Sequence, residues 1–544
     1  MVHSLAMSNK QYALILAFVF LLILPGIFWG LPSAITPQDD APLPLGSLLF
    51  FTEYTKSQLN TVYPAFHQIL MLPLYAVAFA IYWLMGGFSR VNSVWPYGLR
   101  DVSVFFSVLI VLTNLVAAVM AVLLLRFTFP MVERRRWLWF GVLLIVTNGV
   151  FVYYARVGNL DMPYIFWWTV AWLGLWRYLI QGKPSFISLV PAGIAAAFAI
   201  GSKDQASGLV IGAGLLLLLI GPLPSTPFRA RFRQAIVFTT TVVLTYVLVA
   251  ILPQPMRWWN HARFVVSPHA PTKIPFTPAG EVQLFVVMLG RLRSVFTIPV
   301  LLLCVLGVYT LFRSGRKRAF WVLALPIIGY YIVIIAKARV AQPRFLLPFM
   351  IPVLVFATEG AGFVGERLSR WPGGRQAWIG ALTLLLAFNF AFSYGPVTYA
   401  QIFDMKRQVA RDLPALLPLG SPLLISRMQS YEFPNATIYE RYRLMRMPNE
   451  PIIPASRHSA SIFKPLDAQV KYYLLGSGTA GLPSNLPVPS APLRGDLVRE
   501  WQYPEWVRQD VLVPCILEYR LYRTTGPLPL DYVPPPFVVS GTAQ

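Results

Sequence analysis

The sequence predicts an all-α polytopic membrane domain of about eleven spans with outer juxtamembrane helices, followed by an α/β domain on the outer face. Three observations carry this. The 544 residues are 56% hydrophobic and only 12% charged, with mean hydropathy +0.59, and long apolar runs recur. Each run is long enough for a hydrocarbon core of roughly 30 Å. From about residue 397 the composition turns polar and proline-rich, with β-like runs "VKYYLLG" (470–476) and "CILEYRLYR" (515–523). The expected boundaries are therefore 1–396 for the membrane domain and 397–544 for the extracytoplasmic one.

The runs place spans near 11–31, 102–126, 137–155, 163–182, 186–201, 206–222, 235–252, 294–313, 319–336, 344–362 and 377–396. The first lacks a small-residue cleavage site and reads as an anchor, not a signal peptide. Basic loops set orientation. "ERRR" (133–136), "RFRQ" (231–234), "FRSGRKR" (312–318) and "ERLSRWPGGR" (366–375) fall on one side when the spans alternate, together with the N-terminus. That side is the cytoplasm. The segment 66–86 is apolar enough to cross, but a crossing would move the "ERRR" loop outside. It reads as a juxtamembrane or half-inserted outer helix; the rival is a true span beside a neighbour that does not cross. No internal repeat is visible.

The net charge of +23 does not imply nucleic acid, because Lys and Arg of a membrane protein largely set topology. An aromatic content of 14%, with 16 Trp, fits interfacial belts. Cys304 lies in an apolar run and Cys515 near the C-terminus, so no disulfide is expected between them. An outer domain without disulfides points to a bacterial inner membrane.

Charges on the outer face carry the functional reading. Asp39 and Asp40 follow the first span. "YYARVGNLDMP" (153–163) brings Arg156 and Asp161 to a span boundary, and "GSKDQA" (201–206) puts Lys203 in a tight turn. Segments 254–293 and 337–344 hold Arg257, Arg263, Lys273, Arg291, Arg293, Lys337, Arg339 and Arg344 against the acid Glu281. This excess opposes the positive-inside rule, so an anionic ligand is the better account. Arg offers a planar fork to phosphate and Lys a point charge. A polyprenyl-phosphate sugar needs its departing phosphate stabilised by cations and its acceptor hydroxyl activated by a carboxylate base. No Walker A or glycine-rich dinucleotide fingerprint is present.

The ordered set Asp39–Asp40, "VYPAFHQIL" (62–70), "LRDVS" (99–103), "ARVGNLDMP" (155–163), "GSKDQ" (201–205) and "QPRFLLPFMIP" (342–352) resembles the GT-C superfamily of membrane glycosyltransferases, over roughly residues 10–360. The similarity is to the branch of protein O-mannosyltransferases and lipid A aminoarabinose transferases. The resemblance implies a many-helix fold, a polyprenyl-phosphate sugar donor and a first-loop acidic base. It matches Asp39 to the Asp of the family's Asp-Glu pair, with Asp40 in the Glu place, and Asp161 to a second acidic position. Arg100 and Lys203 match donor-site positions. The aminoarabinose transferases carry a lysine just before the first-loop proline; here Val62 and Tyr63 precede Pro64.

The expectation is a glycosyltransferase, hexosyl or pentosyl, acting on a lipid, glycan or protein acceptor. Its catalytic residues are Asp39, Asp40 and Asp161. Its donor phosphate binders are Arg100, Lys203, Arg263, Lys337, Arg339 and Arg344. No cofactor is assigned, and a divalent metal stays open; His67 and His261 read as interfacial, not as ligands. Plainer readings stand beside these. Loop aspartates cap helices, Asp161 before Pro163 is a good helix start, and Lys203 can snorkel. The alternative function is a transporter or lipid-linked sugar flippase.

Overall fold

A computed structural model describes residues 9–26, 66–86, 112, 115–117, 119, 137–157, 160–180, 189–223, 225–266, 274–339, 342–403, 405–425, 443–446, 464–465, 471–480, 495–510 and 515–524. The described parts of the expected spans are largely helical; residues 27–31, 181–182 and 186–188, and all of 102–126 except 112, 115–117 and 119, lie outside the described residues. Asp39, Asp40 and Arg100 lie outside the described residues.

The protein is an integral membrane protein, built on a bundle of apolar helices. Among the described residues, Phe228–Ile251, Lys317–Ala338, Pro343–Leu368 and Gly374–Ile402 are long and apolar enough to cross a membrane. Two bent pairs also qualify: Leu138–Val146 with Gly149–Arg156 at 58°, and Pro278–Phe296 with Ile298–Arg313 at 104°. Leu189–Ser202 and Ala206–Leu219 are shorter apolar helices, with 14 described residues each, about 21 Å at the helical rise. The described parts of the expected spans near 186–201 and 206–222 fall on these two helices, which are joined by the tight turn at Lys203. The Asp161–Ile180 helix has 20 residues and buries Trp168, Trp172 and Trp176.

Small residues let the helices approach. A Cβ on Gly307 would collide with the Phe356 carbonyl oxygen, and one on Gly360 with that of Leu303. Ile298–Arg313 and Met350–Leu368 therefore meet backbone to backbone. Without a hydrophobic drive between helices in lipid, such close contact supplies the attraction.

Successive helices alternate in direction, which gathers the short connections at two ends. One end holds the turns near 220–227, 314–316 and 369–373. The other holds Lys203, residues 252–266 and 274–277, Arg339 and Gln342. Sequence periodicity does not single out the Pro278–Phe296 helix, which lies at this second end. Its Leu284, Met288 and Val295 are buried, while Val282, Phe285, Val286 and Leu289 are exposed. At 104° to the helix that follows, it runs across the bundle end, with an apolar face turned away from the protein. Thr297 makes the bend with φ 59, and Arg339 is the other described non-glycine residue with positive φ, at 54. Both are at this end.

The C-terminal strands form a six-stranded sheet of order β3-β2-β1-β4-β6-β5. The strands are β1 (Pro422–Ile425), β2 (Arg443–Arg446), β3 (Lys464–Pro465), β4 (Tyr472–Ala480), β5 (Gly495–Gln502) and β6 (Cys515–Thr524). β1, β2, β3 and β4 pair in parallel, while β4–β6 and β5–β6 are antiparallel. The β-like runs read from sequence are β4 and β6, whose Tyr473 and Tyr522 are paired and stacked at 4.7 Å. The sheet region docks on the end of the last bundle helix. Tyr503 donates to the Ala400 carbonyl at 3.0 Å, and Trp506 meets Tyr399 edge-on at 5.2 Å.

Candidate functional site

Asp161 starts its helix and Lys203 follows the end of Leu189–Ser202. Because the two helices run antiparallel, residues 42 apart in sequence meet. Lys203 Nζ donates to Asp161 Oδ1 at 2.6 Å, and both side chains are 0% exposed. The turn holds the lysine by local bonds: its N–H donates to Ala199 O at 3.0 Å, and its carbonyl accepts from Ala206 N at 3.0 Å. A pair this deeply buried survives only with good geometry, and losing one member costs about 3–5 kcal/mol.

Aromatic and basic groups surround the pair. Lys203 Nζ lies 5.7 Å from the Tyr164 ring centroid. Tyr164 and Tyr330, both fully buried, are electrostatic neighbours of each other, of Asp161 and of Arg344. Tyr164 sits three residues after Asp161, so it projects from the same helix face. Tyr330 immediately precedes a π-helical turn, Tyr331–Ile335. Asp161 Oδ2 is buried with no hydrogen-bond partner among the described residues.

Two further pairs sit at the same end. Asp204, next after Lys203, brings its Oδ2 to 3.9 Å from His261 Nε2, with the Asp204 side chain 35% exposed. His261 is carried on the Pro255–Val266 helix. Arg339 pairs with Glu281 of the crossing helix, and its guanidinium lies 4.2 Å from the Phe276 ring centroid. The arginine is 3% exposed, and its Nε and Nη1 have no hydrogen-bond partner among the described residues. A left-handed backbone at a non-glycine residue costs about 1–3 kcal/mol and persists where surrounding contacts hold it.

The structure thus brings Asp161, Lys203 and Arg344 together around two tyrosines, with Arg339 buried at the same end. Lys337 is exposed, and Arg263 is exposed with its guanidinium 5.1 Å from the Trp259 ring centroid. Sequence reasoning passed over Tyr164, Tyr330 and Asp204. The two tyrosines are hidden in apolar runs, whereas Asp204 stands in the quoted turn and its neighbour His261 is what marks it. Among the described residues no group of three or more His, Cys, Asp or Glu could hold a metal ion.

Among solved structures, the chain is similar to ArnT from Cupriavidus metallidurans bound to undecaprenyl phosphate, at 12% identity over 95% of this chain and 98% of that one, with TM-score 0.46. It is also similar to the S. cerevisiae protein O-mannosyltransferase Pmt1-Pmt2 complex bound to the sugar donor, at 17% identity over 47% of this chain and 35% of that one, with TM-score 0.33. A third similar structure is the Archaeoglobus fulgidus oligosaccharyltransferase in the apo form, at 12% identity, 86% and 70% coverage and TM-score 0.45. Likeness at this level assigns no role to any residue of this chain. No family model and no curated protein sequence matches it.

Proposed function

We propose that the chain is a glycosyltransferase that moves a sugar from a polyprenyl-phosphate-linked donor to an acceptor hydroxyl on the outer side of a bacterial inner membrane. In this reading the Lys203 end of the bundle faces outward, the N-terminus is cytoplasmic, and residues 397–544 form an outer domain. The observation that carries it is the buried Lys203–Asp161 pair, set among Tyr164, Tyr330 and Arg344 at a bundle end.

The chemistry runs as follows. The acceptor oxygen attacks the anomeric carbon while the bond from that carbon to the phosphate oxygen breaks. The phosphate departs with the electron pair, as polyprenyl phosphate, and a carboxylate takes the acceptor proton. Cations preorganised in a dry site stabilise the developing charge without reorganising. Arg344 and Arg339 supply that charge, and Lys203 completes it. Asp161 is engaged by Lys203 and buried, so it orients the lysine. The base is then assigned to Asp39 or Asp40. Arg100, Lys337 and Arg263 are assigned to the donor's charged headgroup nearer the surface.

A transporter would use ionisable groups inside its spans. Glu359, fully buried within Pro343–Leu368, is such a group. It is held by Arg316 at 2.8 Å, and Arg316 sits in the turn at the opposite bundle end, which supports a brace there.

The test is incubation of the purified protein in nanodiscs with labelled polyprenyl-phosphate sugar and a hydroxyl acceptor. Label transferred covalently, and lost in Asp39→Asn or Asp40→Asn, is the expected result. Label that crosses liposomal leaflets unaltered would support transport instead. Normal transfer by both variants would refute the base assignment.

A further inference from the structure

Among the described residues, Arg156 is the other fully buried cation at the Lys203 end, and its surroundings differ in kind from those of Lys203. A guanidinium has five N–H donors. Here Nε donates to Ile23 O at 2.7 Å; Nη1 donates to Thr398 Oγ1 at 2.9 Å and Gln401 Oε1 at 2.7 Å; Nη2 donates to Leu22 O at 3.4 Å and Tyr394 OH at 3.2 Å. Every donor is used, and each of these acceptors is uncharged. A guanidinium saturated in this way has nothing left to offer a phosphate.

The acceptors come from two distant elements. Leu22 and Ile23 close the first helix, whose last carbonyls have no partner within the helix and carry the negative end of its dipole. Thr398 and Gln401 lie on the last turns of Gly374–Ile402. Tyr394, at the end of a π-helical turn in that helix, also donates to Leu22 O at 2.7 Å. Gly26 has φ +81, and a Cβ there would sit 2.8 Å from Gln401 Cβ, so the exit of the first helix is pressed onto the same residue. The opposite side of the last helix end carries the sheet region: Ala400 O accepts from Tyr503 OH, and Met405 N donates to Tyr503 OH at 3.3 Å.

We infer that Arg156 is a positioning residue, which fixes the exit of the first helix to the helix end on which the C-terminal sheet docks. Resting on the function proposed above, it sets the stem of the segment that carries Asp39 and Asp40, and it makes that stem sensitive to seating of the sheet. The donor-side groups Lys203, Arg339 and Arg344 stand on other elements. Loss of the clamp therefore acts on turnover and leaves donor binding alone.

The test uses the full chain in nanodiscs. Arg156→Met is expected to lower kcat by about a hundredfold, the scale of an ångström-sized misplacement, with the donor KM unchanged within about twofold. Arg156→Lys, which keeps the charge and part of the bonding, is expected to recover part of kcat. Tyr503→Phe is expected to lower kcat in the same direction, with an effect that does not add to that of Arg156→Met. Amide hydrogen exchange supplies a readout independent of transfer. In Arg156→Met, or in Thr398→Val should that variant not fold, residues 19–26 and 395–403 are expected to exchange faster together, with 206–219 unchanged. Unchanged exchange at 19–26, or a loss confined to donor KM, would overturn the clamp. A wild-type chain without transfer would refute the proposed function, and exchange alone would then decide the clamp.

Discussion

The two ends of the helix bundle use positive charge in opposite ways. At the end holding residues 314–316 and 369–373, Arg313, Arg367, Arg370 and Arg375 are exposed. Others there tie off helix ends: Arg231 donates to Leu219 O at 2.7 Å and Arg318 to Pro222 O at 2.9 Å. At the Lys203 end, Lys203, Arg156 and Arg339 are buried, each with named partners. Solvated cations anchor a helix to headgroups and aqueous phase at little cost. Buried ones are expensive, and they persist where packing and bonding hold them in one geometry. Under the proposed function, the comparison would assign orientation in the membrane to one end and chemistry to the other.

The strongest way to break this contrast is at Lys203. Lys203→Met leaves Asp161 buried without its partner, and a loss of about 3–5 kcal/mol in unfolding free energy is expected, together with loss of transfer. Replacing both members with apolar residues is expected to restore much of the stability and none of the activity, which separates folding from function. Arg231→Ala and Arg318→Ala at the opposite end should each cost about 1 kcal/mol, the net worth of one hydrogen bond. Equal losses at the two ends, by thermal or denaturant unfolding, would erase the distinction.

An intermediate effect is expected at Glu359. Its partner Arg316 is 21% exposed, so Glu359→Gln keeps a hydrogen bond and leaves a cation that reaches water. A loss of about 1–3 kcal/mol in stability, with kcat retained, is expected. Smaller still is Glu281→Gln, at a carboxylate 47% exposed. It frees Arg339 from a competing anion, and binding of a polyprenyl phosphate should tighten by a few-fold, about 1 kcal/mol or less. Weaker binding on isothermal titration would show that Glu281 instead holds Arg339 in place for the donor.

The smallest effect lies in the sheet region. Burial pushes the Asp412 carboxyl up, but hydrogen bonds from Trp501 and Arg411 outweigh it and hold the pKa below the ordinary 3.8. A depressed carboxylate stabilises the fold above its unfolded pKa, and the contribution fades as pH falls through the folded value. Asp412→Asn should therefore lower stability slightly at neutral pH and converge with wild type once the pH lies below the folded value. A constant difference across that range would mean that the charge is not what matters.

Much of the bundle was legible because a bilayer demands long apolar runs, and the described basic stretches at 229–233, 313–318 and 366–375 share one bundle end. The Pro278–Phe296 helix was not, since Glu281, Gln283, Arg291 and Arg293 interrupt its apolar residues and its strongest feature, the turn at Thr297, is a backbone event. For the candidate site, Asp161 and Lys203 stood out singly by their places at helix ends. Their contact was invisible, because it depends on the length and pitch of two packed helices. Arg156 was visible as a boundary arginine, yet its acceptors lie more than 130 residues before it and more than 230 after it. Tyr330 had no local mark at all: a phenol in an apolar run becomes informative only when its neighbours are known.

Among the described residues, three helices that end on the Lys203 side each contain a wide turn in their C-terminal half, at Val247–Ile251, Tyr331–Ile335 and Phe390–Tyr394. Each wide turn holds one residue more than α-helical winding needs, and one residue is about 100° of rotation. Everything beyond it is re-aimed by that angle, so Arg339, and Gln401 with Thr398, owe their directions to a surplus residue upstream. Removing one residue inside such a turn, Val333 for instance, would keep every charged side chain in the chain and still swing Arg339 away from Phe276. At this end of the molecule, chain length within a turn is as much a determinant of direction as the identity of the residues it carries.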